Sequence, residues 1–202
     1  MSVVIIGVSG TIGQAVTQAL SARHEIVAVA RTKGDYQVDL DNKESVQRLM
    51  GTVAPFDAVV CAAGQARFGA LATLADEDFD LGLSNKLMGQ VNLVRVGLNY
   101  ICGHGSFTLT SGLLACEPIP GSAAISLVNA ALEGFVRAAA LEMPRGIRIN
   151  VVSPPWVSET LAAMGKDRSA GMPAAEVARA YVESVEGQRN GEVINARSLA
   201  EN

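Results

Sequence analysis

Along this chain, apolar runs of strand length alternate with longer, alanine-rich stretches whose apolar positions recur at helical spacing. The pattern predicts strands near 2–8, 25–31, 36–40, 57–63, 105–111, 148–154 and 193–197. It predicts helices near 11–22, 42–53, 76–102 with a break, 122–142, 159–165 and 173–186. The strands are near-continuous hydrophobics (Val3 to Ile6, Ala58 to Ala63, Ile149 to Val152), as expected of strands covered by helices on both faces. Such strand–helix–strand repetition predicts an α/β fold built on a doubly wound parallel sheet of about seven strands. No internal repeat, low-complexity tract or linker divides the 202 residues, and the length suits one domain.

Composition narrows the function classes. Hydrophobic residues make up 49% and charged residues 18%, with 20 glycines, a compact and closely packed composition. A formal charge of −4, with no basic stripe, argues against nucleic acid as the partner. No apolar run approaches the roughly 18 residues of a membrane span. The opening Ser2-Val3-Val4-Ile5-Ile6 lacks a basic leader and reads as a first strand, not a signal peptide. Cys61, Cys102 and Cys116 are too few and too scattered for a disulfide framework or a metal cluster. Cys61 and Cys102 sit in apolar runs and read as buried, reduced thiols of a cytoplasmic protein. No cluster of His, Cys, Asp and Glu has metal-site spacing. His24 and His104 fall in turns, without a carboxylate at useful spacing, and read as surface residues.

The first strand runs into Gly7-Val8-Ser9-Gly10-Thr11-Ile12-Gly13, which opens the first helix. A dinucleotide's pyrophosphate needs backbone amides aimed at it, the positive end of a helix, and no Cβ in the way. Gly7 and Gly10 permit the turn and the close approach, Gly13 lets the helix lie against the strand, and Ser9 and Thr11 offer hydroxyl donors. Strand before and helix after, this is the turn of a Rossmann fold, although glycines in such places also serve turns alone. No Gly-Lys-Ser/Thr follows, so a nucleoside-triphosphatase loop is excluded. At the end of the second strand, where an NAD-selective protein places Asp or Glu, stands Arg31, followed by Thr32 and Lys33. A guanidinium there suits the 2′-phosphate of NADP(H). The alternative is a solvated surface arginine. Asp39-Leu40 falls where the adenine packs, with Asp39 able to accept from its amino group.

Three further stretches, with the glycine turn, resemble the short-chain dehydrogenase/reductase family over essentially the whole chain. They are Cys61-Ala62-Ala63-Gly64, Thr110-Ser111-Gly112 and Asn150-Val151-Val152-Ser153-Pro154-Pro155-Trp156-Val157. The resemblance implies that Ala62, Ala63 and Gly64 flank the adenine-side ribose and the floor of the cofactor site. It implies that Pro154 and the backbone of Val157 contact the nicotinamide, with Thr160 or Glu159 near its carboxamide. Cys61 replaces the family's usual Asn, and Pro155 its usual Gly. A homodimer or homotetramer is implied too, through helices near 85–102 and 122–142 that are apolar on more than one face; simple packing on the sheet explains them equally.

The family's acid/base pattern is incomplete. Ser111 matches its catalytic Ser, which polarises the substrate oxygen. The Tyr should fall at 124 or 125, which are Ala124 and Ile125, and Asn129 stands where the Lys belongs. No Tyr or Lys occurs from 122 to 143. Lys86 takes the place of a family Asn three residues before Gly89, with Asn85 beside it. It reads either as a cation or amine aimed into the site or as a solvated helix lysine. Ser122, Ser126 and Asn129 are candidate substrate ligands, although Ser126 and Asn129, three apart on one helix face, read equally as polar groups supporting the site or lying at an interface. Two functions follow: an NADP-dependent oxidoreductase of an unknown carbonyl or alcohol with a non-standard proton donor, or a catalytically silent NADP(H) sensor. A methyltransferase is disfavoured because Arg31 stands where its cofactor's ribose wants an acid. Residues 65–75 and 158–172 are expected to line the substrate pocket.

Overall fold

A computed structural model describes residues 1–199. Seven parallel strands form one sheet in the order β3-β2-β1-β4-β5-β6-β7. They are β1 (Ser2–Ile6), β2 (Glu25–Ala30), β3 (Tyr36–Gln37), β4 (Phe56–Cys61), β5 (Ile101–Thr110), β6 (Arg148–Ser153) and β7 (Val193–Asn195). The helices are α1 (Thr11–Ser21), α2 (Lys43–Val53), α3 (Asp76–Leu81), α4 (Gly89–Gly97), α5 (Ala123–Ala139), α6 (Ser158–Ala163) and α7 (Ala174–Glu186). The expected doubly wound Rossmann sheet is therefore present. No helix among the described residues is long and apolar enough to cross a membrane.

The two-residue period of a strand sends alternate side chains to opposite layers. Val3 and Ile5 of β1 join the layer under α1 and α7, with Val16, Leu20, Val177 and Tyr181. Val4 and Ile6 join the other layer, under α2, α4 and α5, with Leu49, Met50, Leu93, Leu132 and Val136. Both faces are thus dry, which is why the strands carry so few polar residues.

The third strand and the long helix bear on the site. The third strand shrinks to two residues, after which the chain turns and seats Leu40 against Gly89, where a Cβ would lie 2.8 Å from that of Leu40. The long helix over 76–102 has its expected break, in the form of a π-helical segment, Gly82–Met88, between α3 and α4. π-Segments of this kind displace side chains from the regular helical register, and this one carries Asn85 and Lys86. His24 is not a simple surface residue. Its ring Nε2 lies 2.8 Å from Glu186 Oε1, because α1 and α7 pack side by side and bring together residues far apart in sequence. Of the thiols, Cys61 is buried as expected, but Cys102 is only half-buried.

Candidate active site

The strand order reverses beside β1, and ligands of such sheets bind beyond the strand carboxyl ends at this switch point. There the chain turns at Gly7, whose φ is +97°. A Cβ on Gly7 would lie 2.9 Å from the Ala62 carbonyl, and one on Gly13 only 2.0 Å from the Gly7 oxygen. Glycine is required at both. Helix α1 begins at Thr11 with Gly10 as its N-cap, no capping side chain and no acid in its first turn. The amides of Thr11, Ile12 and Gly13 are bonded to no other backbone group. Unpaired amides, a positive helix end and a surface cleared of Cβ atoms together fit a diphosphate.

Two depressions flank this turn. The smaller, about 100 Å³, is lined by Gly7, Arg31, Val38, Asp39, Leu40, Ala63, Gly64 and Asn85. Most adenosine-side residues singled out in the sequence therefore converge. Ala62 backs the Gly7 turn rather than lining the depression, and Thr32 and Lys33 are exposed beyond it. Arg31 also borders a neighbouring hollow that contains a second arginine, Arg48 of α2, which sequence reading passed over. A helical arginine one layer away from the strand end gives no local signal of this proximity.

The larger depression, about 360 Å³, lies on the other side of the α1 terminus. Ile12, Pro154, Val157 and Thr160 form its near wall, and Lys86, Ser111 and Asn129 its floor. Leu113, Leu114, Ile119, Ile125 and Trp156 make the rest apolar, with Glu117 and Arg197 among the lining residues and paired at 2.8 Å. The expected lining from 65–75 is not there. Phe68 instead packs edge-on against Trp156 from outside, with ring centroids 6.4 Å apart. Of 158–172 only Thr160 contributes. Glu159 turns away, accepting the Ala174 amide at 3.0 Å at the start of α7. Ser122 and Ser126 are spent on each other, Oγ to Oγ at 3.0 Å, and on the Ile119 amide, so neither lines the cleft.

Each floor residue is held by identifiable contacts. Gln90, wholly buried, grips the Thr110 backbone through both carboxamide atoms, at 2.8 and 3.0 Å, fixing the end of β5 from which Ser111 follows. Asn85 accepts the Gln65 amide at 2.8 Å and donates to Asp41 at 2.7 Å, tying the π-segment to the loops after β3 and β4. That leaves the adjoining Lys86 to run past Gly64, where a Cβ would lie 2.8 Å from the lysine Cγ. Its Nζ donates to the Ser111 carbonyl at 3.1 Å. Lys86 is thus a cleft residue and not a solvated helix lysine. Burial pulls its pKa down to about 8, and burial pushes the nearby Cys61 thiol up to about 12, so that thiol stays neutral.

Ser111 differs from expectation. Its hydroxyl donates to Glu133 Oε1 at 3.0 Å, with the Val152 carbonyl at 3.4 Å. Both are acceptors, so the one hydroxyl hydrogen points into the protein rather than at a substrate oxygen. Glu133 was not singled out in the sequence. It follows Asn129 by four residues on the inward face of α5, and that i,i+4 spacing of two polar residues in an alanine-rich helix is the signal that marks it. Asn129, only 1% exposed, donates to the Gly112 carbonyl at 3.4 Å and leaves its Oδ1 without a partner.

A doubly wound sheet with a glycine-lined, amide-bearing turn at its switch point defines the class of dinucleotide-binding Rossmann proteins. The family described as Enoyl-(Acyl carrier protein) reductase matches residues 1–195. The crystal structure of the protein lin1944 from Listeria innocua is 40% identical, with a TM-score of 0.93 over 96% of this chain and 98% of that one. Hydroxynaphthalene reductase arp2 of Aspergillus fumigatus is 28% identical over 83% of this chain, and the match spans 66% of that protein's length. Carbonyl reductase [NADPH] 2 of Sus scrofa is 28% identical over 80% of this chain, and 72% of its length is spanned. The chain belongs to the short-chain dehydrogenase/reductase family.

Proposed function

We propose that this protein is an NADP(H)-dependent oxidoreductase that reduces a carbonyl, or oxidises the corresponding alcohol, with Lys86 in the role of proton donor. The observation that carries the reading is the Lys86 ammonium in an apolar cleft, anchored by one hydrogen bond to the Ser111 carbonyl. An ammonium has three donors, so two remain for a ligand. Its lowered pKa puts it near the working range of a general acid.

The diphosphate would rest on the amides of Thr11, Ile12 and Gly13, with Ser9 and Gly10 at the turn. Arg31 would take the 2′-phosphate, which agrees with its lack of an ion pair among the described residues and with the NADPH named for the Sus scrofa relative. Asp39, Leu40, Ala63 and Gly64 would border the adenosine, and Ile12, Pro154 and Val157 the nicotinamide. Bound there, the reduced nicotinamide supplies the hydride that the carbonyl carbon gains. Lys86 Nζ hydrogen-bonds the carbonyl oxygen, stabilises the charge growing on it and transfers a proton to it. The neutral amine left behind regains its proton from water. The apolar walls keep the cleft dry and strengthen both interactions.

The test is NADPH consumption with a panel of carbonyls, beside calorimetry with NADPH and NADH. The expected result is turnover that Lys86→Met removes while leaving cofactor affinity intact. Tight NADPH binding with no turnover of any substrate would instead favour the sensor reading. A homodimer or homotetramer would form through the helical faces that expose Leu83, Met88 and Leu127, which light scattering in solution tests.

A further inference from the structure

We infer that buried Glu133 holds Ser111 as a hydrogen-bond acceptor, so that the cleft selects substrates bearing a hydroxyl beside the reacting carbonyl: α-hydroxy ketones in one direction, vicinal diols in the other. The inference rests on the oxidoreductase reading above and assigns its substrate class.

Glu133 is 8% exposed, and its partners account for both oxygens. Oε1 accepts from Ser111 at 3.0 Å and from Ser153 at 3.3 Å, while Oε2 faces the Arg137 guanidinium at 3.7 Å. Arg137 is the charged side chain paired with it, and the strand residues against it supply only hydroxyls. The carboxylate can only accept, so the hydrogen of Ser111 is committed to it and the serine's lone pairs face the cleft. Asn129 lies behind this serine. Its Nδ2 is held on the Gly112 carbonyl, which fixes the carboxamide orientation and leaves the buried Oδ1 unpaired.

The floor therefore offers one cationic donor, Lys86, beside one acceptor, the Ser111 oxygen, and the other polar members of the lining are Thr160 and Asn129 and the mutually paired Glu117 and Arg197. A plain ketone engages the donor and strands an acceptor away from water, which is costly. A carbonyl with an adjacent hydroxyl satisfies both: the carbonyl oxygen accepts from Lys86 Nζ and the hydroxyl donates to Ser111 Oγ. Sites built to bond a substrate hydroxyl discriminate strongly against analogues without it.

The experiment compares α-hydroxyacetophenone with acetophenone in NADPH consumption. It also compares styrene glycol with α-methylbenzyl alcohol in binding to the NADP⁺ complex. Binding is read from the fluorescence of Trp156, the one tryptophan of the chain and part of the cleft wall, so it needs no turnover. The expected preference for the hydroxylated member is at least about tenfold in both measurements. Glu133→Gln should shrink it towards unity. Arg137 draws the carboxamide oxygen, and the amide nitrogen then donates to Ser111 Oγ, which spends a lone pair there and is no longer held as an acceptor for the substrate hydroxyl. Ser111→Ala should shrink it as well. Equal binding of diol and mono-alcohol by the wild-type protein overturns the inference, whether or not either variant folds. A diol preference without turnover of either ketone overturns the oxidoreductase reading alone.

Discussion

At the end of the crevice proposed for the adenosine and diphosphate, the groups on offer are glycines and main-chain amides: Gly7 at φ +97°, Gly13 packed on the Gly7 oxygen, and unpaired nitrogens at the head of α1. At the other end they are side chains, Lys86, Ser111, Asn129 and Glu133, delivered by a π-segment, a strand end and a helix. The first end keeps the family pattern and the second departs from it. Main-chain geometry cannot be exchanged one residue at a time without disturbing β1 and α1 together. On the proposed reading, a proton donor can move from α5 to the segment opposite if the cleft between them survives.

The sharpest way to break this contrast is Gly13→Val. With 2.0 Å between the required Cβ and the Gly7 oxygen, the turn must open. NADPH affinity should fall by more than about 100-fold in calorimetry, with a lowered Tm, since backbone at a tight turn has no alternative packing. A normal isotherm would show that the amide cradle is not the anchor.

Lys86→Met tests the side-chain end. General acid catalysis contributes roughly 100-fold to 10,000-fold, so kcat/KM should fall by about 100-fold or more while cofactor affinity moves little. Arg31→Ser should weaken NADPH by about 10-fold to 100-fold and leave NADH nearly unchanged, as loss of a charge-assisted phosphate contact predicts.

The pH profile sharpens the same point. Burial lowers the Lys86 pKa to about 8, so its acid form is lost as pH rises through that value. The reductive rate should then fall about tenfold per pH unit above it, the oxidative rate should rise as pH climbs towards it and level off beyond, and Lys86→Met should flatten both. The smallest effect is expected at Tyr181→Phe. Its buried hydroxyl bonds Thr110 Oγ1 at 2.7 Å on the far side of the sheet, so about 1 kcal/mol of stability should be lost with kinetics unchanged.

Continuous apolar runs of strand length and helical period, both local properties, carried the sheet, its approximate strand number and the layering of helices. The glycine turn was legible for the same reason: a diphosphate cradle is a contiguous backbone motif whose requirements fall on Gly7, Gly10 and Gly13 in order. The absence of Tyr and Lys near 125 and 129 was legible as well. Which polar groups occupy that part of the cleft was only half visible, because they come from segments far apart. Lys86 was one of two readings until the π-segment and Gly64 aimed it inward. The orientation of the Ser111 hydroxyl depended on a carboxylate 22 positions away on α5. The pocket walls went to Leu113, Leu114, Ile119 and Arg197 instead of 65–75.

Chain order by itself determined the layers and the phosphate turn, since hydrophobic period and glycine placement act between near neighbours. Tertiary structure alone decided the direction of the Ser111 hydrogen, the pairing of Lys86 and the vacant acceptor on Asn129. Those depend on distances between elements, and hydrogen bonds a few ångströms long register nothing about separation along the chain.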